Sequence, residues 1–261
     1  MGRFGPMATS AAARTLMAVT RQVHSVRKEG TEMAGRLQKI GIVLAVFGLV
    51  FAAGGAYAAL KVQEGYRSLD AFSAAQGVEL TYDEQGQLVD RGETAGAVAI
   101  MALLTEDWGY PVAMAELDPN DPVVDTASEY MYQMATVAYH TLNGEQTVIL
   151  DEDFTAPDGT VYTAGTEYVV PVDGRYWADF DRSNPIDAAV RAQAWTGVAH
   201  ALIGELGVGT VTASTLQLGV GVAGLFAGLG FVLVFAGLGL AWAARPETEK
   251  VPALKPAAMP A

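Results

Sequence analysis

Residues 40–60 read IGIVLAVFGLVFAAGGAYAAL, 21 positions without a charge, bracketed by Lys39 and Lys61. A helix of about 20 apolar residues is long enough to cross a hydrocarbon core of about 30 Å. A second run, residues 216–244, holds 29 uncharged positions and closes at Arg245. Its surplus length leaves room for tilt, or for a start outside the bilayer. Both runs are apolar all round, which disfavours a pair of amphipathic core helices in a soluble protein.

Charge outside these runs is strongly asymmetric. Residues 1–39 carry seven Lys or Arg (Arg3, Arg14, Arg21, Arg27, Lys28, Arg36, Lys39) against Glu29 and Glu32. Residues 245–261 carry three against two. Residues 62–214 carry 25 Asp and Glu against five Arg and no Lys, a net charge of −20. Basic residues flanking spans stay in the cytoplasm, so the expectation is a two-span plasma-membrane protein with both termini cytoplasmic and the centre extracytoplasmic. Tyr57 and Trp242 are candidate interface anchors. The competing reading of the first run is a signal peptide cut near Ala56-Tyr57-Ala58, which a run this long and a 39-residue start argue against.

The resulting plan has five parts. Residues 1–39 form a basic arm, 40–60 the first transmembrane helix and 61–214 an acidic domain. Residues 215–244 form the second transmembrane helix and 245–261 a disordered tail. In the arm, Leu16, Val19, Val23 and Val26 share one helical stripe while Arg14, Arg21 and Lys28 share another, the pattern of a helix lying on an anionic leaflet. The chain has no cysteine, so the central domain must stand on its own core without disulfides; about 150 residues suffice for one.

Within the centre, residues 68–76 read as a short helix ended by Gly77. Residues 78–82 and 87–89 read as a hairpin around Asp83-Glu84-Gln85-Gly86. An Ala-rich helix follows over 94–104, then a Pro-punctuated loop at 117–122. Asp125 or Thr126 caps a helix to Leu142, ended by Asn143-Gly144. Residues 146–150 and 160–172 read as strands around Pro157-Asp158-Gly159. Asn184 and Pro185 start a last helix, expected to turn Ile186, Val190, Ala194, Val198 and Leu202 inward and to break at the glycines of 204–210. The fold class is therefore α+β: helices and a small antiparallel sheet inserted between two transmembrane helices.

Candidate chemistry is sparse. The chain lacks the G-x-S-x-G, Walker A and H-E-x-x-H patterns, so no catalytic residue is assigned, and net charge excludes nucleic acid as a natural partner. Of the three histidines, His24 falls on the cytoplasmic side. Glu129 and His140 lie about 16 Å apart on one helix and cannot share an ion. An iron site of two histidines and a carboxylate requires His140, His200 and a residue such as Glu205 to meet. Calcium is the other metal alternative, at Asp118, Asn120, Asp121 and Asp125 or at Asp151, Glu152, Asp153 and Asp158, although neither loop has EF-hand spacing. The main expectation is no cofactor.

Binding residues are easier to nominate. Trp108, Tyr110, Tyr176 and Trp177 are candidates for a membrane or envelope protein partner, with core packing as the competing use. Gly224 and Gly228 form a G-x-x-x-G step, extended by Gly221 and answered by Gly48 and Ala52 in the first span. Such small residues allow close helix approach, either between the two spans or in self-association.

Three stretches carry a resemblance: TASEYMYQMATVAYHTLNGEQTVILDED (126–153), VPVDGRYWADFDR (170–182) and RAQAWTGVAHALIGELGVGTVTASTLQLG (191–219). They resemble a group of actinobacterial membrane proteins often labelled aromatic ring-opening dioxygenase LigA. The resemblance covers roughly residues 40–245 and implies the same two-span architecture. The label would imply iron, for which the chain offers His140 and His200 outside the membrane.

Overall fold

Long apolar runs with few helix breakers build the two ends of the fold. The computed structural model describes the backbone of residues 8–245 and the side chains of Gln22, Gly30 and residues 32–245. The stripes expected over residues 14–28, His24 included, lie outside the described side chains, and the tail after Arg245 lies outside the described residues. Helix α1 (Ala8–Gln76) is continuous and ends where Gly77 adopts a φ of +60°, its N–H bonded to the Ser73 carbonyl. The short helix expected over 68–76 is the last two turns of α1. Helix α5 (Gly197–Ala243) closes the described chain. Both helices are long and apolar enough to cross a membrane, and 17% and 11% of their most apolar windows are buried. Core helices of soluble proteins bury far more than this.

Two units make up the chain, Met1–Ala59 with Gly221–Ala261, and Leu60–Val220. In the first, α1 and α5 pack antiparallel through small residues repeating every seven positions. Gly41 faces Gly237 and Ala241, Gly48 faces Gly230 and Val234, and Gly55 faces Ala223 and Ala227. A Cβ added at Gly48 would stand 2.6 Å from the Val234 nitrogen, so glycine is required for this approach. Phe51 and Phe226 fill the space alongside, ring centroids 5.5 Å apart.

The second unit is helices plus two small antiparallel sheets. Helix α2 (Thr94–Ala102) runs into a π turn at Leu103–Asp107 and stops at Trp108-Gly109. The expected hairpin before it survives as one bridge, Tyr82 to Leu88, with Asp83 accepting from the Gln85 and Gln87 N–H groups. Helix α3 (Ala127–Leu142) starts at Thr126, and its capping box is complete: the hydroxyl takes the Glu129 N–H while Glu129 takes the Thr126 N–H.

Strands β1 (Glu145–Ile149) and β4 (Glu167–Pro171) pair, Thr147 opposite Val169, and enclose β2 (Phe154–Thr155) paired with β3 (Val161–Tyr162). The single strand expected over 160–172 is thus two. Gly165 at a φ of +72° turns the backbone between them, and the Asp153 carboxylate accepts the Ala164 N–H at that turn.

Helix α4 (Pro185–Ala194) is capped by Asn184 as the sequence predicts and buries Ile186, Val190 and Ala194. It ends earlier than expected. Trp195 leaves helical geometry, buries its ring and donates Nε1–H to the Arg175 carbonyl, and Thr196 then caps α5 by accepting the Ala199 N–H. Val198 and Leu202 are consequently exposed, at 69% and 43%. The glycines at 204, 207 and 209 do not break α5. A mid-helix glycine costs only about 1 kcal/mol relative to alanine, and Gly209 has a packing use, since a Cβ there would meet the Tyr130 ring at 2.5 Å.

Two apolar cores hold this unit. Ile100, Leu104, Val124, Tyr130, Tyr132 and Leu206 belong to the first; Leu142, Val148, Val172, Phe180, Val190 and Trp195 belong to the second. Trp108 and Tyr139 touch both. The hydroxyls of Tyr82 and Tyr132 are buried without a hydrogen-bond partner among the described residues, and burial pushes the Tyr82 phenol up to about 12. An unpaired buried hydroxyl costs about 1–3 kcal/mol. Tyr132→Phe should therefore keep or raise the urea midpoint, and a loss of more than about 1 kcal/mol would show a partner for the oxygen.

Glu129 is 2% exposed. Burial pushes its carboxyl above the ordinary value of 4.5, against the Thr126 and Asp125 donors that favour the charge. A carboxyl raised in the folded state stabilises below its unfolded value and loses that contribution as pH rises through its folded value. Urea midpoints over a pH series should show wild type gaining on Glu129→Gln as pH falls toward 4.5.

Candidate partner-binding site

Arg191 lies in the last turn of α4 and Trp195 is its C-cap, the Trp195 N–H bonded to the Arg191 carbonyl. The segment after β4 lies against this end of α4. Asp173 (φ 54°) and Gly174 (φ 71°) turn the chain sharply. Arg175 then anchors it, donating Nε–H to the Val172 carbonyl and pairing with Asp187 of α4 at 2.7 Å. Its guanidinium also covers the Phe180 ring, 4.3 Å from the centroid. Tyr176 and Trp177 are thereby presented on a fixed backbone, the Tyr176 N–H held by the Asp179 carboxylate.

Five rings gather there. Tyr176 stacks on buried Trp195 at 5.8 Å and 24°, and Trp108 Nε1–H donates to the Tyr176 hydroxyl at 2.9 Å. The Trp177 ring carries the Arg191 guanidinium on one face, 3.1 Å from its centroid, and the His200 ring stands nearly perpendicular to it, centroids 4.9 Å apart. His200 also lies 5.9 Å from Trp195. Its Nδ1 is 3.0 Å from the Thr196 carbonyl; a carbonyl only accepts, so Nδ1 carries a proton and donates.

Tyr176 and Trp177 remain 40% and 42% exposed. The surface thus offers aromatic area, one cation spread over an indole, and hydrogen-bonding groups whose positions are set by covalent neighbours and ion pairs. Rigid aromatic and Arg side chains of this type dominate binding energy at protein interfaces.

Of the four aromatics nominated from sequence, Tyr176 and Trp177 form this surface and Trp108 supports it from between the two cores. Tyr110 lies apart, half-buried on the first core, where burial and the Glu116 charge push its phenol up. Sequence reasoning missed Trp195 and Arg191. Their four-residue spacing at a helix end was a usable signal, but their meeting with Tyr176 and Trp177 depends on the β4–α4 turn.

The residues suggested for iron do not come together. His140 Nε2 contacts Asp90 Oδ1 at 2.9 Å, His200 belongs to the aromatic surface, and Glu205 lines a groove beside Phe72. Among the described residues no three His, Cys, Asp or Glu are grouped to hold a metal. The acidic loops spend their carboxylates on turns: Asp118 accepts from the Asn120 backbone and side chain, and Asp158 from the Thr160 N–H.

Gly48 and Ala52 lie in the helix contact of the first unit, whereas a Cβ at Gly221, Gly224 or Gly228 would meet nothing within 4 Å. Compared with protein families, curated proteins and solved structures, the chain matches none.

Proposed function

We propose that this chain is a plasma-membrane protein whose two long helices span the bilayer, and whose acidic central domain lies outside and binds an envelope or membrane protein. The observation that supports binding is the half-exposed pair Tyr176 and Trp177 on a floor of Trp195, with Arg191 seated on the indole. The orientation is supported by 25 acidic residues against five arginines between the spans and a basic N-terminal arm. No catalytic role is assigned.

Both parts are testable with the full chain. The protein has no cysteine, so single cysteines report topology cleanly. Asp151→Cys should react with an impermeant maleimide in intact cells, and Met33→Cys only after lysis; the reverse pattern ends the orientation reading. Capture from solubilised envelope should retain a defined partner that Trp177→Ala and Tyr176→Ala lose. Retention by both variants would remove this surface from the interaction.

A further inference from the structure

Residues 65–72 of α1 and 205–212 of α5 enclose a second feature, independent of the aromatic surface. Gly65, Ser68, Leu69 and Phe72 follow the i, i+3, i+4, i+7 spacing of one helix face, and Glu205, Val208, Gly209 and Thr212 repeat it opposite. Between them runs an open groove of about 600 Å³, within the range that holds small ligands. Gly65 and Gly209 let the Leu216 side chain and the Tyr130 ring pack close behind the floor. Phe72 and Val208, 46% and 67% exposed, supply the apolar walls. A narrower cleft continues from it past Phe72 and Glu205 to Val124 and Tyr130.

Glu205 is the charged residue of the lining. Glu205 makes no ion pair among the described residues, and neither Lys nor Arg lines the groove or the cleft. Arg67, next to Ser68 in sequence, is not part of the lining. Asp125 is pushed up by burial and by the charges of Asp121 and Asp70, and the Tyr130 phenol by burial and by Asp125, Glu129 and Glu205. An apolar trough with Glu205 as the charged residue of its lining favours an apolar chain ending in a cation. An anionic head group would meet like charge at Glu205, and a neutral one would gain no attraction there.

We propose that this groove binds the alkyl chain of a cationic amphiphile, with Glu205 facing the charged head group. The groove begins five positions after Leu60 on α1, past the Lys61–Glu64 ion pair. The groove and its charge do not rest on the two-span reading.

The test uses full-length protein in phosphatidylcholine nanodiscs and three photoreactive hexadecyl probes bearing ammonium, hydroxyl or carboxylate heads. The ammonium probe should label peptides containing residues 65–72 and 205–212 about tenfold more than the other two. Glu205→Gln should erase that preference while leaving labelling by the hydroxyl probe, and Val208→Trp, which fills the groove from an exposed position, should remove labelling by all three. Equal labelling by the three heads, or label spread along the apolar runs without enrichment at the groove, would overturn the proposal. Carbonate extraction of cell membranes tests the span reading separately, because release into the supernatant would end that reading whatever the probes label.

Discussion

Leucine at both Gly230 and Gly237 should force the two long helices apart, while leucine at both Gly224 and Gly228 should leave their contact unchanged. The prediction runs against the sequence motif, since Gly224 and Gly228 form the G-x-x-x-G step and Gly230 and Gly237 do not. The packing decides it. A Cβ at Gly230 would stand 2.7 Å from the Gly48 carbonyl oxygen and against the Ala52 nitrogen, and one at Gly237 would stand 2.5 Å from the Ala45 nitrogen. These obstacles are backbone atoms that no rotamer change can move. At Gly224 and Gly228 nothing lies within 4 Å.

Overpacking costs about 1–3 kcal/mol at each blocked site, and between apolar helices in lipid no hydrophobic term offsets it. Spin labels on Leu49→Cys and Val232→Cys, both at exposed positions, report the separation. The distance distribution should broaden and lengthen in Gly230→Leu/Gly237→Leu alone. An unchanged distribution there, or an equal change in the other pair, would refute the packing.

Trp195→Ala should cost about 3–5 kcal/mol of stability, the range for removing a buried tryptophan. The ring is 6% exposed in the second core, stacks on Tyr176 and donates to the Arg175 carbonyl. Its removal leaves that carbonyl without its donor and Tyr176 without its floor. Trp177→Ala is the contrasting variant. Its ring is 42% exposed and its polar partners are a stacked arginine and a nearly perpendicular histidine ring, so the stability cost should stay below about 1 kcal/mol. Urea midpoints of the detergent-solubilised chain measure both. If Trp177→Ala proved as damaging as Trp195→Ala, the surface would be core rather than binding face.

Much of the central domain was legible locally. Thr126 with Glu129, Asn184 with Pro185, and the stops at Gly77 and Asn143 are short-range signals whose hydrogen bonds close within four residues, and the structure uses each of them. Errors arose where long-range contact overrode local preference. The strand expected over 160–172 is interrupted at Gly165 because β1 and β4 pair around an inner hairpin. Val198 and Leu202 were read as one stripe with Val190, yet Trp195 ends α4 to bury its ring, and the stripe is cut. The candidate surface was half visible: Tyr176 and Trp177 stand out as exposed-type aromatics after a turn, whereas Arg191, Trp195 and His200 join them only through the fold.

Composition and spacing alone determined that the chain carries two apolar helices around an acid-rich middle, because helix length and charge are properties of the residues themselves. Which glycines touch, whether His140, His200 and Glu205 meet, and which aromatics share a surface were decided only by tertiary structure. Helical period places small residues on several faces at once, and the antiparallel register of α1 against α5 selects one face and leaves Gly221, Gly224 and Gly228 open. Likewise, Asp90 claims His140, and Trp177 with Trp195 claims His200; each contact joins residues that no local rule connects.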